Sequence, residues 1–347
     1  MRKIKIGQIG TLHDHAPGKI ACVRQFPEIF EIVGYAAESD EQYEKVKDRN
    51  EFRDLKRMGE EELLNSDVDA MLIETYEYDL VKTAQKCVDR GIHVHVDKPA
   101  GANAEDFEKL LYDAKRKNVV VQMAYMYRYN PALKRAKEII ASGRAGEIYA
   151  VEAHMDCEHT GEKRQWLANF EGGMMFFLGC HLVDLIFQLK GVPDEIIPYN
   201  MATGIDGVTS EDVGFALFRY KDGISFAKTS AAEPGGFTRR QFVICGSKGT
   251  LEINPIERFG ENGGNMTCSM REVYKEDTAR EGWKTCGVTK TYDFEPGDRY
   301  DAMMLDFASF VRGEKENPYT YEYELQLQKM VLRACGVDID YKEKSVL

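Results

Sequence analysis

The sequence predicts an α/β protein in two parts, with an N-terminal doubly wound parallel sheet and a C-terminal α+β domain built on an open antiparallel or mixed sheet. Three observations carry this. Over residues 1–125 short apolar runs alternate with amphipathic stretches, the pattern of βαβ units. After Pro131 the strands come in pairs joined by glycine-bearing turns, the pattern of hairpins. A chain of 347 residues also exceeds one ordinary core and suits two. The expected division is a βαβ domain over 1–125, of the kind that binds nucleotides, and an α+β domain over 126–347.

The elements follow in order. Strands are expected at Ile4–Ile9, Ile32–Ala36, Ala70–Ile73, Ile92–Val96 and Val119–Met123. Between the third and fourth, Leu80, Val81, Ala84, Cys87 and Val88 recur at helical spacing up to Gly91. Between the fourth and fifth, Asn103 caps a helix with Glu105 and Asp106 in its first turn and Phe107, Leu110, Leu111 and Ala114 inside. A helix over 132–142 then leads to an alternating strand over 148–155. Hairpins join 213–220 to 224–230 through Lys221-Asp222-Gly223, and 241–245 to 250–253 through Gly246-Ser247-Lys248-Gly249. Helices over 298–312 and 323–336 follow.

Composition narrows the function. The net charge of −12 disfavours nucleic acid as a partner. No apolar run reaches the roughly 18 residues of a membrane helix, and the N-terminus runs straight into a strand, so neither a membrane span nor a signal peptide is expected. Eight scattered cysteines without a C-x-x-C pair read as reduced and the protein as cytoplasmic.

In the dinucleotide fingerprint a strand ends in G-x-G-x-x-G and the diphosphate rests on the next helix. Here Gly10-Thr11-Leu12-His13-Asp14-His15 stands in that place. Gly10 suits the tight turn, Leu12 replaces the second glycine and His15 the third, so an ordinary strand-to-helix turn is the alternative. Glu38, after the second strand, is placed to bond the adenosine ribose and to repel a 2′-phosphate, which favours NAD over NADP. It is otherwise a solvated loop acid. His13 and His15 either replace missing backbone contacts or mark a loop remodelled for another ligand. His93 and His95 share one face of a buried strand and read as structural.

Asp97-Lys98-Pro99 follows the fourth strand, where the carboxyl ends of parallel strands line the ligand crevice. With it the chain resembles the Gfo/Idh/MocA family of NAD(P)-dependent oxidoreductases, whose hallmark is a Glu-Lys-Pro turn there. Tyr127-Arg128-Tyr129-Asn130-Pro131, Gly146-Glu147-Ile148, Gly172-Gly173, Gly179-x-His181-x-x-Asp184 and Gly246-Ser247-Lys248-Gly249-Thr250 extend the likeness in order.

The resemblance implies a Rossmann-type first domain and hydride transfer between a nicotinamide and a secondary alcohol or ketone of a sugar, polyol or similar compound. It implies that Lys98 stabilises the reacting oxygen, that His181 transfers its proton, and that Asp184 orients His181 or binds substrate. Gly10, Thr11, Leu12, His13, Glu38, Thr75, Lys98 and Pro99 would hold the cofactor. Tyr127, Arg128, His154, Asp156 and Trp166 would face the substrate, unless Arg128 makes an interdomain ion pair, Trp166 is core and His154 and Asp156 lie on a solvated sheet face. His154, Asp156 and His159 could in principle bind a metal, but no H-E-x-x-H or cysteine cluster supports one and none is expected. A homodimer or homotetramer is implied. Two departures, Leu12 and Phe177 (where many members carry an acid one turn before the histidine), keep an alternative in view: a lyase or epimerase using the nucleotide transiently or not at all, or a binding protein on the same fold.

Overall fold

The computed structural model describes residues 2–259, 266–277, 289–295 and 297–342. They divide into two compact units, Met1–Tyr125 with Tyr300–Gln328, and Met126–Arg299 with Lys329–Glu343.

The first unit runs β1 (Ile4–Ile9), α1 (Ala16–Gln25), β2 (Phe30–Ala36), α2 (Asp40–Val46), α3 (Glu60–Leu64), β3 (Ala70–Ile73), α4 (Leu80–Asp89), β4 (His93–Val96), α5 (Ala104–Lys117) and β5 (Val121–Met123). Its five strands are parallel in the order β2-β1-β3-β4-β5. The order reverses between β1 and β3, which fixes a crevice at their carboxyl ends. Both faces of β3 are covered, and Ala70, Met71, Leu72 and Ile73 are fully buried. Asn103 caps α5 by accepting from the Glu105 and Asp106 amides.

The second unit runs α6 (Pro131–Ala141), β6 (Ile148–His154), α7 (Gly161–Trp166), α8 (Cys180–Lys190), β7 (Glu195–Pro198), β8 (Val213–Tyr220), β9 (Gly223–Ser230), β10 (Gln241–Gly246), β11 (Gly249–Ile253), the short pair β12 (Arg258–Phe259) and β13 (Met266–Thr267), β14 (Ser269–Tyr274) and β15 (Thr289–Asp293). Eight strands form one sheet, β15-β14-β11-β10-β6-β9-β8-β7, antiparallel except where β6 pairs β9. Helix α8 packs on β6 and β9, where Val151, Ala153 and Ala227 are fully buried. The opposite face is open, and Tyr199, Phe215 and Phe226 form a row along it.

Helix α9 (Asp301–Val311) and the start of α10 (Tyr321–Ala334) belong to the first unit. The Gln122 amide donates to the Met303 carbonyl, and the Ala100 amide to Gln328. No described helix is long and apolar enough to cross a membrane. The seven described cysteines form no disulfide among the described residues and all but Cys245 are buried, and Cys286 lies outside the described residues.

Candidate functional site

At the carboxyl ends of β1, β3 and β4 the first unit buries an unusual number of charges. Asp97 is fully buried. Its carboxylate accepts from the Lys98 backbone amide at 2.7 Å and from Lys19 Nζ at 3.0 Å, and lies 3.1 Å from His15 Nδ1. The Asp-Lys-Pro turn is thus fastened from beneath, and Lys98, itself only 2% exposed, is held by a folded turn rather than a free loop. Burial opposes ionisation of Asp97, but His13, Lys19 and His15 outweigh it and keep the carboxyl well below its usual range.

Lys19, also fully buried, was missed in the sequence. It falls on the stripe Ala16, Lys19, Ile20, Val23 of α1, a helical spacing that carries one charge among apolar residues and could have revealed it. Its ammonium donates to His95 Nε2 at 2.9 Å, so His95 carries its proton on Nδ1 and gives it to Gln122 Oε1 at 2.8 Å. The reading of His95 as structural agrees with these bonds. His93 Nδ1 accepts the Val120 amide. Glu74, at the end of β3, lies 3.5 Å from Lys19, and burial raises its carboxyl well above the usual range although Lys19 acts the other way.

His13 is buried in this cluster. Its Nδ1 accepts the His15 amide at 3.2 Å and lies 3.6 Å from Asp97 and 3.7 Å from Glu74; its Nε2 lies 3.6 Å from Glu77. Burial, only partly opposed by Asp97, pushes its pKa down to about 3, so the ring is neutral.

The residues present fit a dinucleotide at the adenosine side and less well at the diphosphate. Gly10 has φ +97°, and a Cβ there would lie 2.4 Å from the Glu74 carbonyl carbon and the Thr75 amide, so only glycine lets β1 end this close to β3. Leu12 has no left-handed backbone to support; it differs from glycine by its side chain alone. Glu38 accepts from the Thr11 and Leu12 amides at 2.9 and 3.2 Å and from the Thr11 hydroxyl at 3.0 Å. At the start of α1, the Ala16 amide bonds His13, Pro17 has no N–H and the Lys19 amide bonds His15, which leaves the Gly18 N–H toward an anion. Thr75 is buried beside this turn, its hydroxyl 3.4 Å from the Tyr76 carbonyl.

In the second unit His181, 1% exposed, begins α8 after a single π-helical turn, Met175–Gly179, a distortion often found at functional sites. Tyr127 meets the His181 ring edge-on at 4.9 Å. The Tyr127 hydroxyl donates to Glu257, which Arg240 and Arg299 also bond at 2.5 and 2.7 Å. Burial disfavours the Glu257 anion, but Arg299 and Arg240 more than offset it and lower its pKa. This network carried no sequence signal, because its members are 17 to 172 residues apart.

Two expectations change. Asp184 and Arg128 were read as substrate-facing or catalytic, with an ion pair as Arg128's alternative. The two form a buried pair with Arg128 Nη2 at 2.9 Å and Nε at 3.1 Å from the carboxylate, and Gln188 adds a bond at 2.8 Å. These bonds fix α8 to the segment before α6. His154 was placed in the substrate pocket. Strand alternation gives Val151 and Ala153 the side packed by α8, so His154 lies on the opposite, open face, its ring 5.4 Å from Phe226. Beyond it, Asp156 pairs with Lys228 at 2.8 Å and sits 3.7 Å from Arg239, and both cations also hold Glu233. His154, Asp156 and His159 form no metal-ligand group among the described residues. Trp166 packs edge-on against Phe170 and Phe177 with the Lys163 ammonium 3.9 Å above it. The Phe177 position is therefore part of an aromatic cluster.

Comparison with known proteins agrees with the fold. Residues 4–125 match the oxidoreductase family with an NAD-binding Rossmann fold, and residues 133–252 match the GFO/IDH/MocA C-terminal domain. The chain belongs to this family of oxidoreductases. An uncharacterized oxidoreductase of Escherichia coli, YhhX, is 28% identical over 193 residues, 55% of this chain and 54% of that one. A D-xylose 1-dehydrogenase (NADP(+)) of Haloferax volcanii is 24% identical over 64% of this chain and 63% of its own. The matched part thus spans about half to just under two thirds of these relatives. Among solved structures, a 3-ketoreductase from Actinomadura kijaniata in complex with NADP superposes with TM-score 0.78 at 17% identity, covering 95% of this chain and 96% of that one. A UDP-N-acetylglucosamine 3-dehydrogenase from Acidithiobacillus ferrooxidans gives 0.73 at 18%, covering 96% and 97%. At such identities the likeness is one of fold.

Proposed function

We propose that the protein is a nicotinamide-dependent dehydrogenase acting on a CH–OH group of a sugar, polyol or related hydroxylated molecule, with NAD preferred to NADP. The observation that carries this is Lys98, buried at the carboxyl end of β4 in a turn fastened by Asp97. An ammonium held there stabilises the oxygen of an alcohol as it loses its proton. His181 is the assigned proton acceptor. Asp184 acts as a positioning residue through its pair with Arg128. The nicotinamide supplies the hydride chemistry when bound. The preference for NAD is supported by Glu38, whose carboxylate occupies the loop where a 2′-phosphate would need a cation.

Lys98→Ala should lower turnover of a responsive sugar by about 10²–10⁴-fold while circular dichroism stays unchanged; undiminished turnover in that variant removes the assignment. Fluorescence titration should give NADH at least about tenfold tighter than NADPH, a difference of about 1.4 kcal/mol, and the reverse order removes the NAD preference. The few free amides at the start of α1 favour one second reading, a lyase or epimerase with weakly held or transient nucleotide; it gives product without net change in nicotinamide absorbance. The aromatic row on the open sheet face, with Tyr199 60% exposed, supports self-association through that face. Light scattering should report a dimer or tetramer, and a monomer at micromolar concentration removes this part.

A further inference from the structure

We propose that His13, His15 and Asp97, with Glu74 beside them, form a binding site for one divalent transition-metal ion of the zinc or cobalt(II) kind. The donors come from the loop after β1 and the ends of β3 and β4, so only the parallel topology brings them together. One ligand atom from each of His13, His15 and Asp97 lies within 4.8 Å of the others. His15 Nδ1 is 3.1 Å from Asp97 Oδ2, and His13 Nδ1 is 3.6 Å from that oxygen and 3.7 Å from Glu74 Oε2. Metal–donor bonds of 2.0–2.2 Å require neighbouring donors about 3–3.5 Å apart. The His15–Asp97 spacing already lies in this range, and those from His13 to Asp97 and Glu74 exceed it by a few tenths of an ångström at most.

A second, independent observation points to a ligand here. His13 is 2% exposed and Glu74 fully buried, yet His13 Nε2 and Glu74 Oε2 make no hydrogen bond. Buried polar atoms ordinarily have partners. A cation accounts for the Glu74 oxygen. It also explains the orientation of His13, since a ligating imidazole typically turns its other N–H toward a carboxylate. His13 Nδ1 is the unprotonated nitrogen, since it accepts the His15 amide at 3.2 Å; an ion bound there takes that lone pair in place of the amide, while Nε2–H points to Glu77 at 3.6 Å.

The charges permit a dication. Three carboxylates, Glu74, Glu77 and Asp97, share the cluster with the ammonium groups of Lys19 and Lys98, so acids outnumber bases. Two imidazoles and a carboxylate suit zinc, cobalt or iron(II) rather than magnesium or calcium. The His15 side chain is 16% exposed, which gives the ion a side on which a water or a substrate oxygen can complete its coordination.

The test uses the full chain, stripped with chelator and free of nucleotide, so its outcome is separate from that of the nicotinamide reading. Cobalt(II) is added while visible absorption is recorded, and zinc binding is measured by calorimetry in two buffers of different ionisation enthalpy. One equivalent should bind with Kd of about 10 μM or tighter, with proton release and a raised Tm. His15→Ala should weaken binding by more than about 100-fold and Glu77→Gln by about 10-fold, the scale expected for losing a ligand and its outer partner. His159→Ala should change nothing. Should His15→Ala fail to fold, Glu77→Gln and the stoichiometry still decide. The proposal is overturned by the absence of a one-equivalent cobalt spectrum, or by binding that both variants leave unchanged.

Discussion

The two units bury charge in opposite ways. In the first, three carboxylates gather around Lys19 and Lys98, and two neutral histidines fill the space between them. In the second, two buried acids are met by guanidinium groups: Asp184 by Arg128, and Glu257 by Arg240 and Arg299. The Arg128 guanidinium meets the Asp184 carboxylate through two nitrogens, whereas the single Lys19 ammonium is shared between Asp97 and Glu74 and leaves a Glu74 oxygen over. The first arrangement keeps unsatisfied capacity for a ligand, and the second makes a rigid frame.

The largest test of this contrast is to remove each central cation. Lys19→Ala should cost about 3–5 kcal/mol of unfolding free energy, as should Arg128→Ala, because each strands a buried acid. The repairs should differ. Arg128→Met combined with Asp184→Leu should recover most of the loss, since one acid answers one base. Lys19→Met alone should recover nothing, because Asp97 and Glu74 both remain. Denaturant unfolding of these variants checks the set, and a Lys19→Met protein as stable as the parent breaks the comparison.

A smaller effect appears with pH in metal-free protein. Burial first, and Lys19 second, push the His95 pKa down to about 3. In the unfolded chain a histidine titrates near 6.5. Between these values the unfolded state binds the extra proton, so the contribution is full above pH 6.5 and is lost as pH falls toward 3. From pH 6.5 to 5 the loss is about 2 kcal/mol for this residue. Unfolding midpoints measured over that range should fall less steeply in His95→Gln, and parallel slopes would show that His95 is not the source. Least of all, Lys163→Ala should cost about 0.5–1 kcal/mol through its contact with Trp166, a change readable as a small Tm decrease.

The sequence disclosed the elements better than their contacts. Strands Ile4–Ile9, Ala70–Ile73 and Val213–Tyr220 lie where apolar pattern and turn residues put them, because those signals are local. The turn at Lys98 and the glycine at Gly10 were legible for the same reason. His154 was misplaced because alternation says that two faces exist and not which one a helix will cover. The pair of Arg128 with Asp184 was not legible because its members lie 56 residues apart. The cluster around Lys19 draws on three strand ends, and nothing in the spacing from His15 to Asp97 predicts that they meet.

Gln122 hydrogen-bonds the carbonyl of Met303, a partner 181 positions further along the chain. During synthesis the nucleotide-binding sheet is therefore finished long after its own strands have left the ribosome. The second unit can be translated up to Arg299 while β5 still waits for α9. A nascent chain halted before α9 should bury less of Gln122 and His95 than the finished protein does, and it is in that interval that quality-control factors would meet the first unit incomplete.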